Sequence, residues 1–532
     1  MAVIHTVKAV GKGGQLARKD QLAWKIAEVA ARSSEVQLTE KVKDMVINRI
    51  IDNAAIALAA INEEAVTVMR EKTLASAGTG LASIYGMPGK FGVSQAAYVN
   101  AGAVRFRDQD DTYLAAEYSH PDDNISPILA VAQQMGCSGE DVMRGIAVAY
   151  EIHVALVGTG SGTGICLHKH KVDHMTHIAA ATAAGIGAML GLSVEEIYHA
   201  VNFAVHNAVS SRQSRKGEIG AQKELVPAYS AEIAIEAVNV AMSGNDSGQI
   251  GPNPVYEGED SIIRRFLDGR ENPDAEYKVR LPEPGVDTFE NILITYPKEH
   301  AFEYQGQAII DAVLEVIPQL PADENGKPDL TKIEKIVLET SHHTHHVIGV
   351  DAKDPQKVDP DAPRGTLDHS IMFAVARALQ LGRWDEDVYE IAAADKEVLR
   401  ELMLKVETKF DAEWERKYHS TEPTEQAMGG KLIFTFTDGT APVEITKERA
   451  NAHCFGDTPW GRENYIGKLE KLTKGIMSDA VRENFVKAAG GLEAMLSSDL
   501  QKLTPVADLI SLARPVKPGL YTGAVNAQAH AR

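Results

Sequence analysis

Two short stretches of this chain concentrate side chains that can move a proton near neutral pH. The first opens Asp108-Gln-Asp-Asp-Thr112 and, after a short apolar bridge, ends Ser119-His-Pro-Asp-Asp-Asn124. The second runs His168-Lys-His-Lys-Val-Asp-His-Met-Thr-His177. Carboxylates and imidazoles serve general acid–base chemistry once burial and neighbours have tuned them. Both stretches are bounded by apolar, helix-like sequence, which favours a catalytic pair of loops over polar loops that merely cap helices. Further on, Arg212, Arg215, Lys216 and Lys223 stand between helical segments. They form either a solvated basic turn or an anion pocket, because Arg and Lys are what carboxylates need and Arg binds them bidentately. Together these features suggest a small molecule bearing several carboxylates. Proton transfer would then fall to Asp or His, without a metal or a redox cofactor.

Two other motifs invite chemistry and are read differently. Ser341-His-His-Thr-His-His346 looks like a metal site, yet it follows directly on a strand pattern, so its histidines would point to opposite faces. No carboxylate or cysteine pattern beside it completes a metal shell. The run Gly158-Thr-Gly-Ser-Gly-Thr-Gly164 matches neither dinucleotide nor phosphate-loop spacing and follows a helical segment rather than a strand. It reads as a helix-to-helix loop, and no nucleotide cofactor is implied. The three cysteines, Cys137, Cys166 and Cys454, are scattered. They have no zinc spacing and no close pair to hold adjacent corners of an iron–sulfur cluster.

The elements that must position these residues fall into two kinds. With 532 residues, 44% of them hydrophobic, the chain can bury a large core and should form at least two domains. From about residue 21 to 243 the pattern is helical. Val42, Met45, Val46 and Ile50 share one helix face, and Ser193 with Glu196 forms a capping box. The stretch 179–190 is too rich in Ala and Gly for a surface helix and should pack centrally, with the histidine cluster at its N-terminal end. Gly251-Pro-Asn-Pro and Pro282-Glu-Pro-Gly285 break the pattern. Strands are then predicted over 292–296, 333–340 and 432–437, with Asp438-Gly439 turning into 443–446, and helices over 304–317 and 369–381. Helical periodicity returns over 462–496, and the tail after Pro515 reads as a poorly ordered arm. The expected fold is mainly α with an inserted α+β lid domain. Its parts are a helical domain over 1–285, the lid over 286–448, and a return to the helical domain over 449–532.

Lys plus Arg number 54 and Asp plus Glu 74, a net charge of −20. That balance argues against nucleic acid or an anionic membrane as the main partner. The N-terminus has no signal-like run, and no stretch approaches roughly eighteen uncharged apolar residues. A cytoplasmic protein is expected.

The residues of the run 111–124 resemble the signature of the MmgE/PrpD family, and its Leu-Ala-Ala-Glu117 insert is similar to the branch that dehydrates 2-methylcitrate. Similarity continues through 165–174, Ser211-Arg-Gln-Ser-Arg-Lys-Gly217, Tyr296-Pro-Lys-Glu-His300, 341–345, 354–357 and 366–370, and so covers nearly the whole chain. The resemblance implies a homodimer whose site lies between helical domain and lid and works without cofactor. Carried over by position, its catalytic pocket falls on Asp108, His120, His174, Lys223 and His300. Where the family has an apolar or aromatic residue after the first Asp, this chain has Gln109, with Asp110 and Asp111 close by. The implied reaction is dehydration of 2-methylcitrate to 2-methyl-cis-aconitate in propionate breakdown. His174 and Asp108 are then the candidate base and its orienting partner, and His120 the acid. Arg212, Arg215, Lys216 and His177 would bind substrate with Lys223. The alternatives are a cis-aconitate decarboxylase, a citrate or aconitate hydro-lyase, and a non-catalytic carboxylate-binding homodimer.

Overall fold

The computed structural model describes residues 2–75, 79–215, 219–243, 254–420, 422–514 and 516–517. Most of the tail after Pro515, and the Gly251-Pro-Asn break, lie outside them. The fold is mainly α and divides into two compact units. The first comprises residues 1–213, 221–295 and 461–532, and the second residues 214–220 and 296–460. The divisions at 295/296 and 460/461 lie beyond the breaks expected at 285 and 448.

The first unit is organised around two neighbouring helices, Gly139–Val157 and Met175–Leu190. The second of them is buried along its length up to Met189, as its small residues require. Val93–Phe106, Val194–Asn207 and Gln222–Ser243 pack against this pair or one another. The capping boxes at Ser138/Asp141 and Ser193/Glu196 both form, so each helix start has its orphan amides satisfied locally. In helix Glu40–Ala59, Val42, Val46 and Ile50 are buried and Met45 is partly so. Gln222–Ser243 is the one described helix long and apolar enough to cross a membrane, and 56% of its apolar window is buried inside the protein. The glycine-rich run is a loop after helix Gly139–Val157. Gly158, Gly160, Gly162 and Gly164 all have positive φ, a backbone that other residues rarely adopt. The sequence pattern passed over the antiparallel ribbon of Val3–Lys8 with Glu276–Leu281, whose partners lie far apart in the chain.

The second unit holds a four-stranded sheet in the order Val406–Phe410, Ile333–Thr340, Gly430–Phe436, Val443–Lys447. The first pair is parallel and the others antiparallel. Asp438-Gly439 lies in the connection, with Gly439 at φ 80°, but the last pair of the register is Phe434 with Val443, so the connection is longer than a two-residue hairpin turn. Helices Tyr304–Val316 and Ile371–Leu381 pack on one another, and Phe302, Ile309, Val313, Phe373 and Leu432 share their core. Two further expectations fail. Residues 292–296 are not a strand, because Asn291–Ile294 is a 3₁₀ turn closed by the Thr295 hydroxyl donating to the Ile292 carbonyl at 2.9 Å. The histidine run is likewise no extension of its strand. Ser341 accepts from the Thr344 amide and starts the short helix His342–Val347. Its rings are dispersed: His342 stacks on His346, His343 on Tyr418, and His345 meets Thr408 at 2.7 Å.

The tight pairing of the two central helices is testable. A Cβ at Gly185 would lie 2.7 Å from both the Ala149 Cβ and the Gly145 carbonyl oxygen, whereas one at Gly467 would meet nothing within 4 Å. Gly185→Ala should cost about 1–3 kcal/mol, outweighing the roughly 1 kcal/mol that Ala gains in a helix interior. Gly467→Ala, in helix Arg462–Thr473, should stabilise by up to about 1 kcal/mol. Urea unfolding of the two variants should therefore move in opposite directions.

Candidate active site

The first acidic stretch is folded onto itself by reciprocal hydrogen bonds. The Asp111 amide donates to Asp122 Oδ2 and the Asp122 amide to Asp111 Oδ1, each at 3.0 Å. Tyr150, from helix Gly139–Val157, donates its hydroxyl to Asp111 Oδ2 at 2.9 Å, and Asn53 donates to Asp122 Oδ2 at 3.0 Å. Arg49 Nε lies 3.2 Å from Asp111 Oδ2, with both side chains wholly buried. Burial, then the charges of Asp111, Asp110 and Asp123, raise Asp122 well above the usual carboxylate range. Between these two anchors the strands Tyr113–Leu114 and Tyr118–Ser119 form a small hairpin.

Just before it, Asp108 turns the chain with φ +52°, a left-handed conformation that Asp tolerates better than most residues. Its carboxylate bonds Arg105 through one oxygen and faces Lys223 Nζ at 3.5 Å through the other. All three side chains are buried, so each charge depends on the others for compensation. Arg105 also reaches Asp110 Oδ1 at 3.1 Å, and Asp110 Oδ2 lies 3.2 Å from His120 Nδ1. His120 is tied further to the Asp111 carbonyl at 2.7 Å and to Thr112 Oγ1 at 3.2 Å. The His120 and His174 rings are 5.7 Å apart between centroids. His174 stands at the N-terminus of helix Met175–Leu190 and meets Ser119 Oγ at 2.6 Å through Nδ1. A continuous chain of contacts thus runs from Lys223 through Asp108, Arg105 and Asp110 to the two imidazoles.

Asp108, His120, His174 and Lys223, singled out in the sequence, come together in the first unit. Asp108, however, is bonded to Arg105 and Lys223, while the ring of His174 is bonded to Ser119. Behind Ser119 stands His153, whose Nε2 lies 2.7 Å from Ser119 Oγ. The sequence reading missed Arg105 and His153. A lone histidine in the apolar helix segment 146–157 carries the signature of an ordinary core residue, and Arg105 sits at a helix end where basic residues are common. His177, expected to contact substrate, is fully buried and bonds the Ile165 carbonyl at 2.9 Å through Nε2, so that nitrogen is committed to the backbone. Arg212 lies 3.6 Å from Glu117 and over the Tyr118 ring. Arg215 belongs to the second unit, and Lys216 lies outside the described residues. His300 also belongs to the second unit, buried, with Nε2 2.8 Å from Asp311 Oδ1.

Some of these groups could meet a metal ion. In the first unit the ligand atoms of Glu117, Cys166 and His168 lie within 4.8 Å of one another, as do those of Asp110, Asp122 and Asp123; in the second unit so do Glu299, His300 and Asp311. Glu117 Oε2 already accepts from the amides of Leu167 and His168 at 2.5 and 2.6 Å and from His168 Nδ1 at 3.0 Å. An ion there would have to displace them. Burial alone would raise Glu117, but the His168 hydrogen bond and the His168 and Arg212 charges outweigh it and leave the carboxyl below its ordinary range.

Residues 20–274 match the MmgE/PrpD N-terminal domain and residues 300–492 the MmgE/PrpD C-terminal domain. The chain belongs to the MmgE/PrpD family. It is 28% identical over 380 residues to a 2-methylcitrate dehydratase of Escherichia coli O157:H7, covering 68% of this chain and 71% of the relative. A mitochondrial 2-methylcitrate dehydratase of Yarrowia lipolytica is 27% identical over 355 residues, covering 64% and 63%. An alkylcitrate dehydratase of Talaromyces stipitatus is 22% identical over 417 residues, covering 75% and 79%. With this membership and these relatives, the chain is an enzyme of the carbon–oxygen lyase class.

Glu117 gives a prediction with a defined sign. Because folding lowers its pKa, its stabilisation is present above the ordinary glutamate pKa and is lost as pH falls through the folded value. Glu117→Gln, whose NH2 must face either the Leu167 and His168 amides or the Tyr118 amide, should cost about 1–3 kcal/mol at neutral pH. In urea unfolding the gap to the parent should narrow steadily below the ordinary glutamate range. A gap independent of pH would show that the carboxylate charge is not what holds the 165–168 loop.

Proposed function

We propose that this enzyme dehydrates 2-methylcitrate to 2-methyl-cis-aconitate, without a metal or redox cofactor, as a step in propionate breakdown. The observation that carries the reading is the contact chain in the first unit that joins a buried cationic pair, Lys223 and Arg105, to two imidazoles. Elimination of water from such a substrate removes a weakly acidic proton beside a carboxylate and expels a tertiary hydroxyl. That requires positive charge to stabilise the carboxylate as electron density builds, a base for the carbon-bound proton, and a donor for the departing oxygen. Lys223 and Arg212 are assigned to the substrate carboxylates, and His120 with His174 to proton transfer. The names of the relatives support the substrate, the family resemblance goes with a cytoplasmic homodimer, and the net charge of −20 disfavours nucleic acid or an anionic membrane as partner.

Purified protein should be given 2-methylcitrate, citrate and cis-aconitate separately, with alkene absorbance and carbon dioxide release followed in each. 2-Methylcitrate should react best. Citrate, lacking one methyl group, should be poorer by roughly 10–200-fold, because a methyl in an apolar pocket is worth only about 1–3 kcal/mol. No carbon dioxide should come from cis-aconitate; its stoichiometric release without hydration products would move the enzyme to decarboxylation. His174→Ala should lower kcat by roughly 10²–10⁴-fold with the fold intact. Lys223→Ala should weaken both KM and kcat, since its charge meets substrate in ground and transition states alike.

A further inference from the structure

The hydrogen bonds behind the two imidazoles fix which ring nitrogen of each carries hydrogen, and so assign the base and the donor. The assignment starts from an amide whose orientation is not free. Asn124 Nδ2 lies 2.7 Å from the Pro121 carbonyl, which can only accept, and Asn124 Oδ1 accepts from Thr182 Oγ1 at 2.7 Å. Asn124 Nδ2 also lies 2.9 Å from His153 Nδ1. Two donors cannot face each other there, so His153 Nδ1 holds a lone pair and its hydrogen is on Nε2. His153 is fully buried, and burial, with His177 adding to it, depresses its pKa well below the usual histidine range, so the ring is neutral with one N–H. That N–H donates to Ser119 Oγ at 2.7 Å. The Ser119 hydroxyl hydrogen is thereby directed to His174 Nδ1 at 2.6 Å. In the neutral ring of His174 the hydrogen then resides on Nε2. Asp173 Oδ1 lies 3.7 Å from that nitrogen, an acceptor on the side where the hydrogen resides.

His120 is set the other way. Its Nδ1 faces the Asp111 carbonyl at 2.7 Å and the Asp110 carboxylate at 3.2 Å, both acceptors, so Nδ1 carries the hydrogen and Nε2 the lone pair. A carboxylate on that side also stabilises the imidazolium that forms when Nε2 takes a proton.

We infer that His120 Nε2 is the base, that His174 is the donor to the departing oxygen, and that Ser119, His153 and Asn124 are positioning residues that hold His174 in its Nε2–H tautomer. The inference rests on the dehydratase reading for its substrate. In the step itself, the carbon–hydrogen bond breaks with its proton passing to His120 Nε2. Its electron pair becomes the new π bond as the carbon–oxygen bond breaks. The departing oxygen takes the hydrogen of His174 Nε2 and leaves as water, and the proton on His120 then passes to His174, restoring both rings. A neutral imidazole can act as the electrophilic donor in such a site.

The test is the nitrogen-15 spectrum of the histidine-labelled full-length protein without substrate, with the two signals identified by their loss in His120→Gln and His174→Gln. His120 should show the Nδ1–H pattern and His174 the Nε2–H pattern. Ser119→Ala should convert the His174 signal to a mixture and lower kcat for 2-methylcitrate by about 10–100-fold with little change in KM, and Ser119→Thr should restore both. An Nδ1–H pattern at His174 in the parent protein overturns the inference whatever the variants do, as does a Ser119→Ala protein unchanged in spectrum and kcat. Inertness of the parent toward 2-methylcitrate would sink the dehydratase reading alone, because the spectra need no turnover.

Discussion

The exchange of hydrogen bonds between Asp111 and Asp122 is the constraint on which the rest of the site depends. Two carboxyl groups in a dry interior would repel, and burying either alone would be costly. Here each accepts the other's backbone amide, Tyr150 and Asn53 add donors, and Arg49 supplies charge. The consequence is a closed loop with its ends clamped to the helices Glu40–Ala59 and Gly139–Val157. Much of the site in the first unit hangs from that clamp: Asp108 and Asp110 just before it, Ser119 and His120 at the base of its hairpin.

Rigid helices supply the rest. Helix Met175–Leu190 carries His174 at its start, and the glycines and alanines along it allow close approach to helix Gly139–Val157, which carries both Tyr150 and His153. The close packing that makes this pair intolerant of added volume is also what holds His153 within hydrogen-bond reach of Ser119. Precision in a proton relay requires backbones that cannot drift by even half an ångström.

The charge arrangement has a similar economy. In an acidic protein, a cationic site for a tricarboxylate must be built locally against the global field. Arg105 and Lys223 share Asp108 between them. Arg105 also pairs with Asp110, and Lys223 lies 4.0 Å from Glu224, so the two buried cations are compensated by carboxylates drawn from the same stretch of the fold. Uncompensated, either charge would be too costly to bury.

Much of this was legible from residues alone. Small-residue helices, capping boxes and the two acid–base stretches all follow from local rules, because each is decided by side chains a few positions apart. The long motifs also sufficed for the family, and pointed to Asp108, His120, His174 and Lys223, which the structure brings together in the first unit. Where local rules misled, a neighbour in space or a local cap had intervened: Thr295 curled residues 291–294 out of a strand, and Ser341 started a helix under the histidine run. The proton relay could not have been read from the chain. His153 and Ser119 are far apart in sequence, and nothing about a histidine on an apolar helix distinguishes a relay from a core residue. Tautomers are set by which donors and acceptors face a ring in three dimensions, so only the tertiary structure could decide that His120 and His174 present opposite nitrogens.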